Sequence, residues 1–159
     1  MFKYYLPVIS PASGSILSVK NTNNILHIVI FLDFFDDHTQ YAPITSTIVN
    51  KFYKPGSRLP AFLNCAAKNE KMITMFNNFY TGSVAITQIA GTIFRRISSF
   101  VNIGNLIDSG EPFGKILFGS RVDVHLFSNN FLLSDEIQAG KHICGGQTIL
   151  GYFVITLPT

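Results

Sequence analysis

Apolar positions along this chain either alternate with polar ones or gather in short β-branched and aromatic runs, and Gly, Pro, Asn and Ser punctuate them. Pro7 to Val19 reads as a turn, Ser10 to Gly14, flanked by short strands, and Lys20 to Asn24 as a polar hairpin connection. Ile25 to Phe31 is apolar on both faces, as in a strand covered on both sides. A second strand, Thr47 to Tyr53, follows Ala42-Pro43-Ile44 and ends at Pro55-Gly56. Only between Ser57 and Met72 do apolar residues (Leu59, Phe62, Leu63, Ala66, Ala67) recur at helical spacing, which predicts one short helix near 57–70. Strand patterns then return at Ile73 to Phe76, Val84 to Ile89, Thr92 to Phe100, Lys115 to Phe118, Val122 to Phe127 and Gln147 to Ile155. The prediction is an all-β chain with that one helix.

Two echoes refine it. Pro11-Ala-Ser-Gly-Ser-Ile16 and Pro43-Ile-Thr-Ser-Thr-Ile48 share one plan, and Val101 to Gly110 and Ile137 to Gly146 each set two glycines around a turn. They suggest two hammerhead-like halves folded on each other in a barrel-sandwich hybrid, as in biotinyl- and lipoyl-type barrels. No linker or low-complexity segment divides residues 1–159, so one domain is expected.

Composition narrows the function. Charged residues make up 13% of the chain and the net charge is +3, without a Lys/Arg run, so nucleic acid has no electrostatic footprint here. Cys65 and Cys144 fit no zinc or C-x-x-C spacing and are expected to be reduced, buried small hydrophobes. Met1 to Pro7 lacks a signal-peptide core, and Ile25 to Phe35 is broken by His27 and Asp33 and is too short to cross a bilayer. A cytoplasmic or peripheral-membrane protein is expected.

Candidate chemistry is sparse. If Asp36-Asp37-His38 is extended, Asp36 and His38 share a face, and a carboxylate beside an imidazole can raise its basicity; the alternative is a surface turn. His27, His125 and His142 read as isolated structural residues, with His125 on the opposite face from Ser120. No cluster has metal-ligand spacing. Asn69-Glu70-Lys71 either closes the helix or orients a site, and Arg95-Arg96 sends one guanidinium inward if its strand is regular. Gly145-Gly146 lacks the strand-to-helix context of a phosphate loop. Between two apolar runs, Phe118-Gly119-Ser120-Arg121 could hold a reactive hydroxyl at a tight turn.

Taken together, these segments resemble the short, single-domain proenzyme form of the phosphatidylserine decarboxylase family. The strongest stretch is Val84-Ala-Ile-Thr-Gln-Ile-Ala-Gly-Thr-Ile-Phe-Arg-Arg-Ile97, followed by Gly104, Gly110-Glu111, Phe113-Gly114 and Phe118-Gly-Ser-Arg-Val-Asp-Val124. Ser10-Pro-Ala, Gly14, Ile30-Phe-Leu32, Asp36-x-His38, Ala42-Pro43, Pro55-Gly56 and Asn69-Glu70 extend the match over nearly the whole chain.

The resemblance implies self-cleavage between Gly119 and Ser120, giving a β chain 1–119 and an α chain 120–159 that stay associated. Ser120 Oγ would attack the preceding carbonyl, an N-to-O acyl shift eased by strain and by a glycine that leaves the approach open. Elimination of the ester and loss of ammonia would leave a pyruvoyl cofactor derived from Ser120, an electron sink for decarboxylating phosphatidylserine to phosphatidylethanolamine. His38 would handle the proton, and Asp36 could stand in for a missing relay carboxylate. The departures are Ser13 where longer bacterial relatives carry the relay aspartate, Tyr41 where they carry the relay histidine, Gln40-Tyr41 before Ala-Pro, and Ser46 for a glycine. These favour the alternative, an uncut, silent relative that binds lipid head groups or a protein. A lipoyl-type carrier is disfavoured, since no lysine sits at a Gly-rich hairpin tip. Oligomeric state is open, a homo-oligomer included.

Overall fold

The computed structural model describes residues 1–92, 96–117 and 119–159. In chain order its strands are β1 (Phe2–Ile9), β2 (Gly14–Thr22), β3 (Ile25–Leu32), β4 (Thr39–Tyr41), β5 (Ser46–Lys54), β6 (Lys71–Asn78) and β7 (Gly82–Ile89). They continue as β8 (Ile97–Ser99), β9 (Leu106–Ile107), β10 (Pro112–Ile116), β11 (Ser120–Phe127), β12 (Phe131–Leu133), β13 (His142–Ile143) and β14 (Ile149–Leu157). The chain is all-β, as the alternation predicts. The strand expected over Thr92 to Phe100 is described only at β8, and the one over Lys115 to Phe118 ends at Ile116; Arg95 and Phe118 lie outside the described residues.

The main sheet runs β13-β2-β3-β11-β7-β6-β5-β9 and curls into a half-barrel. Its order is palindromic about the β11–β7 pair, and the sequence echoes are the reason. Ile16 and Ile48 occupy matching places: Gly140 N–H donates to the Ile16 carbonyl and Gly104 N–H to that of Ile48, each over 2.8 Å. Ile16 N–H returns a bond to Lys141, and Ile48 N–H to Asn105. Gly104, Gly110, Gly140 and Gly146 all take positive φ, which lets the two glycine pairs turn alike. The halves clasp reciprocally, Ile9 N–H to Pro43 O and Tyr41 N–H to Pro11 O, both 2.9 Å. Inner faces meet in one core that includes Ile16, Ile30, Ile48, Phe76, Ile86, Phe113 and Val124. Smaller sheets, β4-β10-β8 and β1-β14-β12, complete the fold.

Two expectations change. Residues 57–70 form a loop with a 3-10 helix only at Asn64–Lys68, where just Ala66 is buried. Phe62 and Leu63 face solvent, so the helical spacing does not describe a buried stripe. The loop is held instead by Asn69, fully buried, whose Oδ1 accepts from Leu59 N–H (2.9 Å) while Nδ2 donates to the carbonyls of Leu59 (2.6 Å) and Ala90 (2.9 Å). Cys65 and Cys144 are free, as expected, but exposed rather than buried, because Cys65 lies on the exposed side of the short 3-10 helix and Cys144 directly after β13. Among the described residues, no helix is long and apolar enough to cross a membrane.

Candidate functional site

Ser120 begins β11 where the chain leaves the small β4-β10-β8 sheet for the main one. Alternation puts its side chain on the inner face with Val122, Val124 and Leu126, all buried. Ser120 itself is fully buried, and its Oγ has no hydrogen-bond partner among the described residues. Buried hydroxyls nearly always have one, so an unengaged buried hydroxyl asks for a reason.

Gly119 has φ +75°, the left-handed region that costs glycine least. A Cβ there would touch nothing within 4 Å, so conformation rather than space selects glycine. Its N–H donates to the Leu32 carbonyl at 2.9 Å. Behind the Gly119 carbonyl stands Gly91, where a Cβ would lie 2.0 Å from that oxygen. Two glycines thus frame the Gly119–Ser120 bond, one for its dihedral and one for its clearance.

The outer face of β11 carries an ionic row. Arg121 Nε and Nη2 donate to the two carboxylate oxygens of Asp123 at 2.7 and 2.9 Å, and Nη1 reaches the Leu63 carbonyl at 3.3 Å. Asp123 Oδ2 also lies 2.8 Å from His27 Nε2. Burial pushes the Asp123 carboxyl up, but the hydrogen bonds from His27 and Arg121 outweigh it and hold the group below its ordinary range. His27 stacks on His125 with centroids 4.1 Å apart; burial, reinforced by His27, keeps the His125 imidazole below its usual value. His125 therefore faces away from Ser120, as the spacing predicts. None of His27, His125 and His142 is isolated, and the signal available for the row was the i, i+2 spacing of Arg121, Asp123 and His125.

Residues 33–38 form a turn instead of an extended run, because Asp33 and Asp36 bond reciprocally: Asp36 N–H to Asp33 O (3.2 Å) and Asp33 N–H to Asp36 Oδ2 (2.8 Å). The other Asp36 oxygen lies 2.5 Å from His142 Nε2, so Asp36 is engaged with the turn and with His142. His38 is half-buried with Nε2 shielded from solvent, and its carbonyl accepts from Ile116 N–H at 3.1 Å. Since Leu32 O accepts from Gly119 and His38 O from Ile116, the 33–38 loop is tied at both ends to the segment that leads into Ser120.

Ser13 and Tyr41 sit beside adjacent glycines. Ser13 Oγ accepts from Gly145 N–H at 2.8 Å, and Tyr41 packs where a Cβ on Gly146 would meet its ring at 3.1 Å. The Tyr41 hydroxyl donates to Asp37, a bond that pushes Tyr41 up. Burial nudges Asp37 up, but this bond and those from Thr39 bring it below its ordinary value. Ser46 Oγ donates to the Ile44 carbonyl at 3.0 Å. Among the described residues, no three His, Cys, Asp or Glu side chains converge as metal ligands would.

Residues 6–151 match the family model described as phosphatidylserine decarboxylase. A Methanosarcina mazei protein provisionally named an archaetidylserine decarboxylase proenzyme is 35% identical over 143 residues, covering 90% of this chain and 65% of its own. Phosphatidylserine decarboxylase proenzymes of Azorhizobium caulinodans and Carboxydothermus hydrogenoformans are 38% and 35% identical; the match covers 90% and 91% of this chain and 64% and 70% of theirs. The chain thus spans just under two thirds of the first two. No solved structure matches it significantly.

Proposed function

The chain belongs to the phosphatidylserine decarboxylase family, and from that premise we propose that it cuts itself between Gly119 and Ser120 and then converts phosphatidylserine to phosphatidylethanolamine. The observation that carries this reading is Ser120 Oγ, buried without a hydrogen-bond partner among the described residues, directly after a left-handed glycine. In the first step a bond forms from Ser120 Oγ to the Gly119 carbonyl carbon, the Gly119–Ser120 C–N bond breaks, and the hydroxyl proton passes to the released amine.

The residues around position 120 fit the pyruvoyl group that would arise there. Position 120 is fully buried, and the inner face beside it offers the polar side chain of Gln88, also fully buried. That group would supply an electron sink for loss of the lipid carboxylate. His38, held on the loop tied to this segment, is proposed to return a proton to the decarboxylated carbon. Asp36 supports that loop through Asp33 and His142, so its proposed part is positional.

One observation favours an uncut binding module instead. Neither a carboxylate nor an imidazole among the described residues bonds to Ser120, and Ser13 and Tyr41 are engaged with Gly145 and Asp37. Intact mass of the purified chain separates the two readings. Fragments 1–119 and 120–159, the second blocked to Edman chemistry and reactive to borohydride, are expected, with Ser120→Ala remaining whole. A wild-type chain still whole after long incubation would refute self-cleavage.

A further inference from the structure

Gln88 is fully buried on β7, where an apolar residue would be the ordinary choice. Register pairs it with Val122, and Ser120 lies two residues earlier on the same face of β11. The Gln88 and Ser120 side chains are therefore diagonal neighbours on the inner surface, a spacing that long side chains bridge. Each carries a buried atom with no hydrogen-bond partner among the described residues: Oε1 of Gln88 and Oγ of Ser120. One is an acceptor and the other a donor.

The direction of the Gln88 amide is dictated by its neighbours. Gln40, fully buried on β4, donates from Nε2 to the His38 carbonyl at 2.9 Å, so its Oε1 must face the other way. That oxygen accepts from Gln88 Nε2 at 2.8 Å, which leaves Gln88 Oε1 as the open end of the series. Turning either amide over would set two acceptors against each other. Gly114 makes room for the arrangement: a Cβ there would lie 2.8 Å from Gln88 Nε2 and 2.7 Å from the Ser98 carbonyl.

We propose that the Gln40–Gln88 relay is a positioning device for self-cleavage, in which Gln88 Oε1 accepts the Ser120 hydroxyl proton in a hydrogen bond and aims an oxygen lone pair at the Gly119 carbonyl. The proposal rests on the self-cleavage reading above. It gives a chain that carries Ser13 and Tyr41 at the relay positions another means of orienting its nucleophile. A neutral amide does not remove the proton; it fixes the rotamer, and proton transfer to the leaving amine remains within the acyl shift itself. The relay also ties the geometry of Ser120 to the backbone of His38.

A purely structural cross-brace between the two sheets would use the same Gln40–Gln88 bond, so the test reads the free oxygen. Gln88→Met keeps the length and removes the amide's bonds to Gln40 and the Ser98 carbonyl together with the proposed one to Ser120; it is expected to slow the appearance of fragments 1–119 and 120–159 about tenfold, the worth of the one neutral hydrogen bond at the nucleophile. Gln88→Glu keeps the acceptor and makes it ionisable. Its cleavage rate is expected to rise with pH along a limb absent from the wild type, while its thermal unfolding tracks the loss of the bond to Gln40. Gln88→Met cleaving at the wild-type rate, or Gln88→Glu without the extra limb, overturns the inference alone. A wild-type chain that never cuts overturns the proposed function and the inference with it.

Discussion

Gly91→Ala offers a direct test of the frame around the Gly119–Ser120 bond. The new methyl would stand 2.0 Å from the Gly119 oxygen and 2.9 Å from its carbon. Carbon and oxygen do not approach much closer than about 3 Å, so the carbonyl or the 90–91 backbone must retreat by roughly 1 Å. The backbone is poorly placed to give way. Ala90 N–H donates to Glu70 O at 2.9 Å, and its carbonyl accepts from the buried Asn69 side chain. Gly91 does not have a positive φ, so alanine adds no dihedral strain and the effect is steric. A misplacement of about 1 Å at a reacting centre costs on the order of 100-fold in rate, and that is the expected slowing of fragment formation. The assay is a mass-spectrometric time course on freshly purified protein, with thermal unfolding measured alongside to confirm that the variant folds. A folded Gly91→Ala chain that cuts as fast as the wild type would refute the close approach as a constraint on cleavage.

Two further predictions address other parts of the site. His38→Ala is expected to leave fragment formation intact and to lower carbon dioxide release from phosphatidylserine vesicles by at least about 100-fold, the range of a general acid or base; undiminished release would remove His38 from the proton step. Asp123→Asn leaves the buried Arg121 guanidinium without its charge partner and should cost about 3–5 kcal/mol in urea unfolding. Because the folded-state value of Asp123 is depressed, the stability it contributes is complete above the ordinary carboxylate value of 3.8 and is lost as pH falls below it. The wild type should show that acid limb, and in the variant it should shrink to what Asp37, also held below its ordinary value, contributes.

The strands were legible because each buries one face or both, and alternation records that in the residues themselves. The internal echo was legible for the same reason: Ile16 and Ile48, and the glycine pairs after Val101 and Ile137, fill matching places in a palindromic sheet. What misled was local pattern without a surface to bury against. Leu59, Phe62, Leu63, Ala66 and Ala67 have helical spacing, yet Phe62 and Leu63 stay exposed and Asn69 supplies the loop's order. For Asp36-x-His38 the sequence left an extended run and a surface turn both open, and Asp33, three residues before Asp36, folds it into the turn. The long-range pairs around these segments, Asp36 with His142 and His27 with Asp123, join residues 106 and 96 positions apart, and nothing local announces them.

The palindrome also gives the bond proposed to break a distinctive place in the fold. In the β6–β7 half, Thr81 N–H donates to Asn78 O at 3.2 Å, and the hairpin closes at once into Gly82, the first residue of β7. At the matching place in the other half, Gly119 N–H donates to Leu32 O, and Ser120 is the first residue of β11. There the chain does not close. Both strands run on instead into β4 and β10, which pair with each other beyond the 33–38 loop. The Gly119–Ser120 bond therefore lies at a junction between two sheets, where a break leaves the hydrogen-bonded ladders on either side in place. The two new ends would differ in their restraint. The 120 side is fixed by pairing with β3 and by Arg121, locked to Asp123 and Leu63, whereas among the described residues Gly119 N–H is held by the Leu32 carbonyl. Cleavage at this junction would thus free the Gly119 side to move and open a path to position 120, while the group left at 120 keeps its place in the core.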